Sequence, residues 1–265
     1  MIKMVVCDID GTIFNGVAFT KNLMDCVDKI RKDGIKFVIA TGRTYCGAKQ
    51  VVAPLHIDTP IICYQGATIH SPEGEMIYEK SLDRELALDI INYLKTLDIH
   101  PNIYIDDKLY CEKETNYVKK YSDFQKVPYT IVDDISKKDF KSMNKLLVID
   151  NDTEKVKWIT KNLGERYAGK IYSRMSTTTF CEICANGISK GNAVKIIADM
   201  YGIKKDEIMG CGDQNNDIEL LTCAGIGVAM GNATDTLKGY ADYITDTVDN
   251  DGVVKAINKF VYGVE

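Results

Sequence analysis

No apolar run in this 265-residue sequence approaches the roughly 18 residues of a helical membrane span, so a membrane-spanning helix is not expected. An excess of basic charge is also missing. Lys and Arg number 33 against 38 Asp and Glu, a net charge of -5, which rules out a non-specific electrostatic grip on nucleic acid. Histidine is scarce: His56, His70 and His100 are the only three, and they form no HExxH pattern. Low-complexity stretches, long linkers and internal repeats are absent as well. A signal peptide is not indicated, because MIKMVVCDIDG runs from a short apolar stretch straight into acids and reads as a strand. The nine cysteines are odd in number and scattered, the pattern of reduced thiols in a cytoplasmic protein. One CxxC occurs, Cys181 to Cys184. It lies in a strand-like segment that would point the two thiols to opposite faces, and it has no partner pair, so it reads as structure and not as a zinc site.

What is present is an α/β rhythm. Met4–Cys7, 35–40 and 60–64 read as strands, and 21–33 and a segment ending near Val52 read as helices. The tail repeats the alternation, with helices at 191–201, 216–223 and 253–261 and strands at 208–211, 225–229 and 243–244. Such βαβ alternation predicts a doubly wound parallel sheet with helices on both faces. The middle has a different texture, with amphipathic helices over 83–97 and 153–163 among short strands. It carries 17 basic and 17 acidic residues, while the flanks carry 16 and 21. The expectation is a core of residues 1–81 and 186–265 interrupted by an α+β module over 82–185.

Four segments stand at predicted strand ends or helix starts, where an open parallel sheet binds its ligands. In Asp8-Ile9-Asp10-Gly11-Thr12, two carboxylates leave a strand into a turn. The plain reading is a solvated acidic turn. The functional one makes Asp8 a nucleophile toward phosphorus and Asp10 a general acid and base. In Ala40-Thr41-Gly42-Arg43, Thr41 either caps a helix or offers a hydroxyl to phosphate oxygens. Lys190, in Ser189-Lys190-Gly191-Asn192, is either a surface lysine or a cation for a phosphoryl group. The segment 212–217, GDQNND, is either an empty polar turn or a set of hard oxygen donors suited to Mg²⁺. Gathering Asp8, Asp10 and Asp213 in one crevice would demand a divalent cation to relieve their repulsion.

Together these segments resemble the four motifs of the haloacid dehalogenase (HAD) superfamily: DIDGT the first, ATGR the second, the lysine of SKGNA the third and GDQNND the fourth. The 149 residues from Thr41 to Lys190 match members whose cap is inserted between the second and third motifs. GISKGNAV, GVAMGNA and DYITDTVDNDGV are similar to Cof-type (HAD-IIB) sugar-phosphate phosphatases. The resemblance implies a Rossmann-like core and a Mg²⁺-dependent phosphatase working through an aspartyl-phosphate on Asp8, with Asp10 as acid and base. It implies Mg²⁺ held by the Asp8 and Asp213 carboxylates and the Asp10 backbone carbonyl. It implies phosphoryl contacts from Thr41, the amides of Ile9 and Gly42, Lys190 and the amide of Asn216. Asp217 would orient Lys190 or a metal-bound water. One departure is visible: Gln65-Gly66-Ala67 stands where members often carry Asn-Gly-Ala.

The inserted module would act as a cap that excludes water and selects the leaving group, with Arg174 and Glu182 as candidates to face the substrate. Its neutrality favours a small-molecule phosphate ester, with no nucleic-acid, membrane or obligate protein partner. The alternatives are a phosphomutase or phosphoryl transferase on the same scaffold, a non-enzymatic phospho-acceptor switch, and a silent binding protein. A receiver-type switch needs only about 120 residues and no cap, and a silent protein would not need every acid of the chemistry.

Overall fold

The computed structural model describes residues 1–125 and 127–264. These divide into two compact units: Met1–Tyr78 with the chain from Ser189 onward, and Glu79–Ile188. The expected insert, 82–185, lies inside the second unit. Among the described residues no helix is long and apolar enough to cross a membrane.

The first unit is built on an eight-stranded sheet. Its spatial order is Tyr243–Ile244, Ile226–Ala229, Ile208–Gly212, Met4–Cys7, Lys36–Ala40, Ile61–Cys63, Thr68–His70 and Met76–Glu79. The six strands from Tyr243–Ile244 to Ile61–Cys63 pair in parallel. Thr68–His70 adds on antiparallel, a feature the apolar runs did not reveal. Residues of Met4–Cys7 are all buried, as a strand covered on both faces requires. The helix Lys21–Lys32 turns Leu23, Cys26, Val27 and Ile30 inward at helical spacing, and the Thr20 hydroxyl caps it by accepting from the Leu23 amide. The helix Lys190–Tyr201 starts at Ser189, whose hydroxyl accepts from the Asn192 amide, and ends at Gly202 in the left-handed conformation.

The chain leaves Met4–Cys7 in both directions across the sheet, so the order of strands reverses at that central strand. The register sets Cys7 beside Ile39 on one side and Cys211 on the other. The three central strands therefore end level, and Asp8, Thr41 and Asp213 emerge from neighbouring carboxyl ends.

The second unit has a six-stranded sheet in the order Ile171–Thr177, Phe180–Ala185, Lys145–Ile149, Asn102–Ile105, Lys108–Cys111 and Tyr129–Ile131. All neighbours are antiparallel except the last pair. The helices Arg84–Thr96 and Thr153–Arg166 match the two amphipathic stretches, while a further helix, Asn116–Gln125, was not expected. Cys181 and Cys184 are both buried in the strand Phe180–Ala185, and all nine cysteines are free.

Glu182 and Arg174, the two residues expected to face substrate, lie opposite each other across strands. Glu182 is buried against Lys145, its carboxylate 3.4 Å from the ammonium. Burial disfavours the charged lysine, yet the attraction of Glu182 prevails and holds Lys145 above its ordinary range. Removing one partner of such a pair strands the other charge in the interior. Lys145→Met should therefore destabilise the protein by about 3–5 kcal/mol in urea titration, and Lys145→Met with Glu182→Leu should recover most of that loss. Equal midpoints for the single and double variants would contradict this account.

Candidate active site

The carboxyl end of Met4–Cys7 opens into a tight loop. The Ile9 carbonyl accepts from the amides of Thr12, Ile13 and Phe14, which folds the chain back at once. Gly11 sits at φ +79°, and a Cβ there would lie 2.3 Å from an Asp213 carboxylate oxygen. Glycine is thus required by both backbone and space, and it lets the first and fourth segments touch. Asp8 is buried, as are Asp213 and Asp217, so the reading of these acids as solvated turns does not hold. A carboxylate oxygen of each lies within 4.8 Å of the others.

Lys190 enters this cluster from the first turn of its helix and is 1% exposed, which excludes the surface-lysine reading. Its ammonium lies 2.8 Å from Asp8 Oδ1 and 2.6 Å from Asp217 Oδ1. The other oxygen of Asp217 accepts from the backbone amides of Asp213 and Gln214 at 3.0 and 3.1 Å. Asp217 is therefore fully engaged inside the protein. Asp213 is held less completely, by the Thr12 hydroxyl at 3.2 Å and the Gln214 side-chain amide at 3.0 Å.

Thr41 is not the helix cap that its position suggested. The helix Tyr45–Val52 is capped by Thr44, which accepts from the Gly47 amide. Thr41 is instead buried at the strand end, its hydroxyl accepting from the Arg43 amide at 3.1 Å. Arg43 itself received no role in the sequence reading. Its guanidinium is buried and forks onto Asp10, Nε to one oxygen and Nη2 to the other, both at 2.7 Å. Asp10 therefore stands apart from the buried trio, with its carboxylate half exposed. Asn216 reaches across to Gln65, its side-chain amide donating to Gln65 Oε1 at 2.9 Å. Ile9 is buried, and Gly42 packs directly against the Gln65 carboxamide.

The electrostatics are unbalanced. Three buried carboxylates share a single ammonium. Burial raises the Asp8 carboxyl well above its ordinary range; Lys190 opposes the rise, and Asp217 and Asp213 add to it. Burial and then the Asp217 charge lift Asp213 from 3.8 to about 6. Lys190 is held up by Asp217 and Asp8 against the desolvation that would lower it. A site of hard oxygens with excess negative charge out of water fits a divalent cation, and Asp8 and Asp213 have the carboxylate oxygens to offer.

This core and this site coincide with a known class. The family model for haloacid dehalogenase-like hydrolases matches residues 5–257. The chain belongs to that family, and within it to the Cof-type phosphatases. It is 28% identical over 288 residues to the 5-amino-6-(5-phospho-D-ribitylamino)uracil phosphatase YwtE of Bacillus subtilis, covering 99% of each chain. Among solved structures, TM0651 from Thermotoga maritima superposes with a TM-score of 0.86 at 30% identity, covering 98% of both chains. The HAD subclass IIB sugar phosphatase BT4131 superposes with a TM-score of 0.83 at 27% identity, over 98% of this chain and 99% of its own.

The raised acids have a measurable consequence. The folded state binds the Asp213 proton more tightly than the unfolded one, so this group's contribution to metal-free stability is fully present below about pH 4 and is lost as pH rises through about 6. The shift corresponds to about 3 kcal/mol at neutral pH. Thermal melting with and without Mg²⁺ should show little stabilisation at about pH 5 and a clear rise in Tm at about pH 7.5. Asp213→Asn should raise the metal-free Tm at the higher pH and erase the response to the cation. A cation effect of equal size at both pH values would refute the charge imbalance.

Proposed function

We propose that this phosphatase hydrolyses a small phosphorylated metabolite of the sugar-phosphate class through an aspartyl-phosphate on Asp8, with Mg²⁺ as cofactor. The observation that carries the reading is the contact of Lys190 with Asp8 inside an over-acidic buried cluster. The sugar-phosphate class is supported by BT4131, named a sugar phosphatase, and by YwtE, whose named substrate carries its phosphate on a ribityl chain.

In this mechanism Asp8 attacks phosphorus in line and the P–O ester bond breaks. The leaving oxygen takes its proton from Asp10. Asp10 then accepts a proton from water, whose oxygen attacks the aspartyl-phosphate and releases inorganic phosphate and free Asp8. Thr41, Lys190 and the amides of Ile9, Gly42 and Asn216 hold the phosphoryl oxygens. Mg²⁺ would be held by the Asp8 and Asp213 carboxylates and the Asp10 carbonyl, and it supplies charge neutralisation between an anionic nucleophile and an anionic substrate. Asp217 orients Lys190 and shapes the turn that presents Asp213. Arg43 grips both oxygens of Asp10 and so fixes the carboxyl that must move the proton. The unit Glu79–Ile188 serves as the cap, and the choice of leaving group is its task. A cytoplasmic setting accords with nine free cysteines.

With Mg²⁺ the protein should hydrolyse p-nitrophenyl phosphate, and EDTA should abolish the reaction. Asp8→Asn should lower kcat by about a thousandfold or more, since an amide is a poor nucleophile toward phosphorus. Turnover that survives Asp8→Asn would remove the nucleophile from the scheme. Arg43→Lys, which keeps the charge but loses the planar fork, should lower kcat about tenfold with KM little changed. An unchanged kcat would show that Asp10 is positioned without the fork. Comparing kcat/KM across a panel of phosphorylated metabolites then tests the sugar-phosphate assignment.

A further inference from the structure

The unit Glu79–Ile188 holds a cavity of about 160 Å³, about ten times the space that one water needs. It lies at one end of the six-stranded sheet. Ile149 pairs with Phe180 at that end, while Ala185, near the point where the chain leaves the unit, stands at the other. The helix Arg84–Thr96 runs between the two ends, about 20 Å at 1.5 Å per residue. It stops in a turn at Leu97 and Asp98, the latter at φ +53°, and the chain re-enters the sheet at Asn102. That turn, the start of the helix Asn116–Gln125 and the first turn of Thr153–Arg166 form the wall. No residue of this wall belongs to the phosphoryl site.

The polar groups of the wall are unevenly satisfied. Asn102 is 5% exposed, yet its carboxamide makes no hydrogen bond among the described residues. His100 Nδ1 is buried and equally without a partner there, while its Nε2 lies 3.5 Å from Asp98 Oδ1. Thr115 caps the helix Asn116–Gln125 by accepting from the Val118 amide, and with Tyr117 it brings the positive end of that helix to the cavity. The Lys113 ammonium is exposed and 4.0 Å from Asp98. The two acids of the wall are already provided for. One oxygen of Asp150 takes Lys155 at 2.8 Å and the other the Asp152 amide at 3.0 Å, and Asp98 stands in water. A buried carboxamide with no partner costs stability, and nothing in the fold of this strand end requires one.

We propose that this cavity is a second ligand site, for a small hydroxylated oxyanion: a carboxylate or a phosphate on a short carbon chain. Lys113 and the N-terminal turn of Asn116–Gln125 take the anionic end. The ring proton of His100 belongs on Nε2, beside the Asp98 carboxylate, so Nδ1 is an acceptor and calls for a hydroxyl. The Asn102 carboxamide can donate to the ligand's oxygens and accept from its hydroxyls. Val148 and Ile149 supply the apolar surface for the carbon chain.

The test is to titrate L-malate and glycerol 1-phosphate into the full chain without added cation and follow the imidazole C–H resonances by NMR. There are only three histidines, and His100 is assigned by its loss in His100→Gln. Its resonance should shift saturably at about millimolar concentration with at least one of the two anions, and the tighter one identifies the anionic group. Glycerol should leave it in place. Lys113→Gln, at an exposed position, should weaken the binding about tenfold. Asn102→Leu should abolish it with Tm unchanged or higher, because it removes an unpaired buried carboxamide. No shift with either anion, an equal shift with glycerol, or undiminished binding in Lys113→Gln would overturn the proposal and leave a water-filled cavity. If Asn102→Leu does not fold, Lys113→Gln decides alone. Turnover plays no part in the measurement, so a failure of the phosphatase reading would leave the result standing.

Discussion

Three acids out of water around one ammonium form an arrangement that the rest of the molecule has to sustain. Ionised carboxylates are costly to bury, and Asp8, Asp213 and Asp217 exceed what Lys190 can neutralise. The protein offsets part of that cost locally. Asp217 takes the lysine and two backbone amides, and Asp213 takes a hydroxyl and a side-chain amide. What is left over is concentrated on Asp8 and Asp213, the two whose carboxyls burial drives upward. A cluster tuned only for stability would have replaced one of them with an apolar or amide side chain.

The parallel sheet is what makes this concentration possible. Side by side in register, Met4–Cys7, Lys36–Ala40 and Ile208–Gly212 end together, so residues 8, 41 and 213 leave the sheet at one edge without any long excursion. Buried strands on both sides give the loops a rigid base, and the close approach of Gly11 to Asp213 shows how little space remains between the loops. The Lys190 helix completes the ring from the opposite direction in sequence, after the whole of Glu79–Ile188.

Much of this was legible in the residues, because the relevant signals are local. Apolar runs ending in acids marked the central strands, and 3.6-residue periodicity marked the helices at 21–32, 84–96 and 153–166. The four short segments likewise announce themselves by composition. What escaped is what depends on partners far along the chain. Capping was the plain alternative for Thr41, and the chain alone does not show that Thr44 does that work. Arg43 carries no mark of its grip on Asp10, since the pairing joins two loops. The Gln65 to Asn216 bond is invisible for the same reason, and the left-handed turn before Gly66 has no turn-forming residue at its first two positions. The antiparallel strand Thr68–His70 is only three residues long, too short for alternation to show.

Charge places a last constraint on how such a site can work. The residues outside 82–185 hold 16 basic and 21 acidic side chains, so the field of the core is negative while the substrate is an anion. Long-range steering would repel it, although salt screens that repulsion beyond about 8 Å under physiological conditions. On the proposed reading, attraction has to be built at contact distance, from Lys190, from the backbone amides of the turns after the central strands, and from a cation drawn in by the same acids that repel the ester. The excess carboxylate then need not be a defect. On the proposed reading it is the means by which a negatively charged core concentrates positive charge at one point.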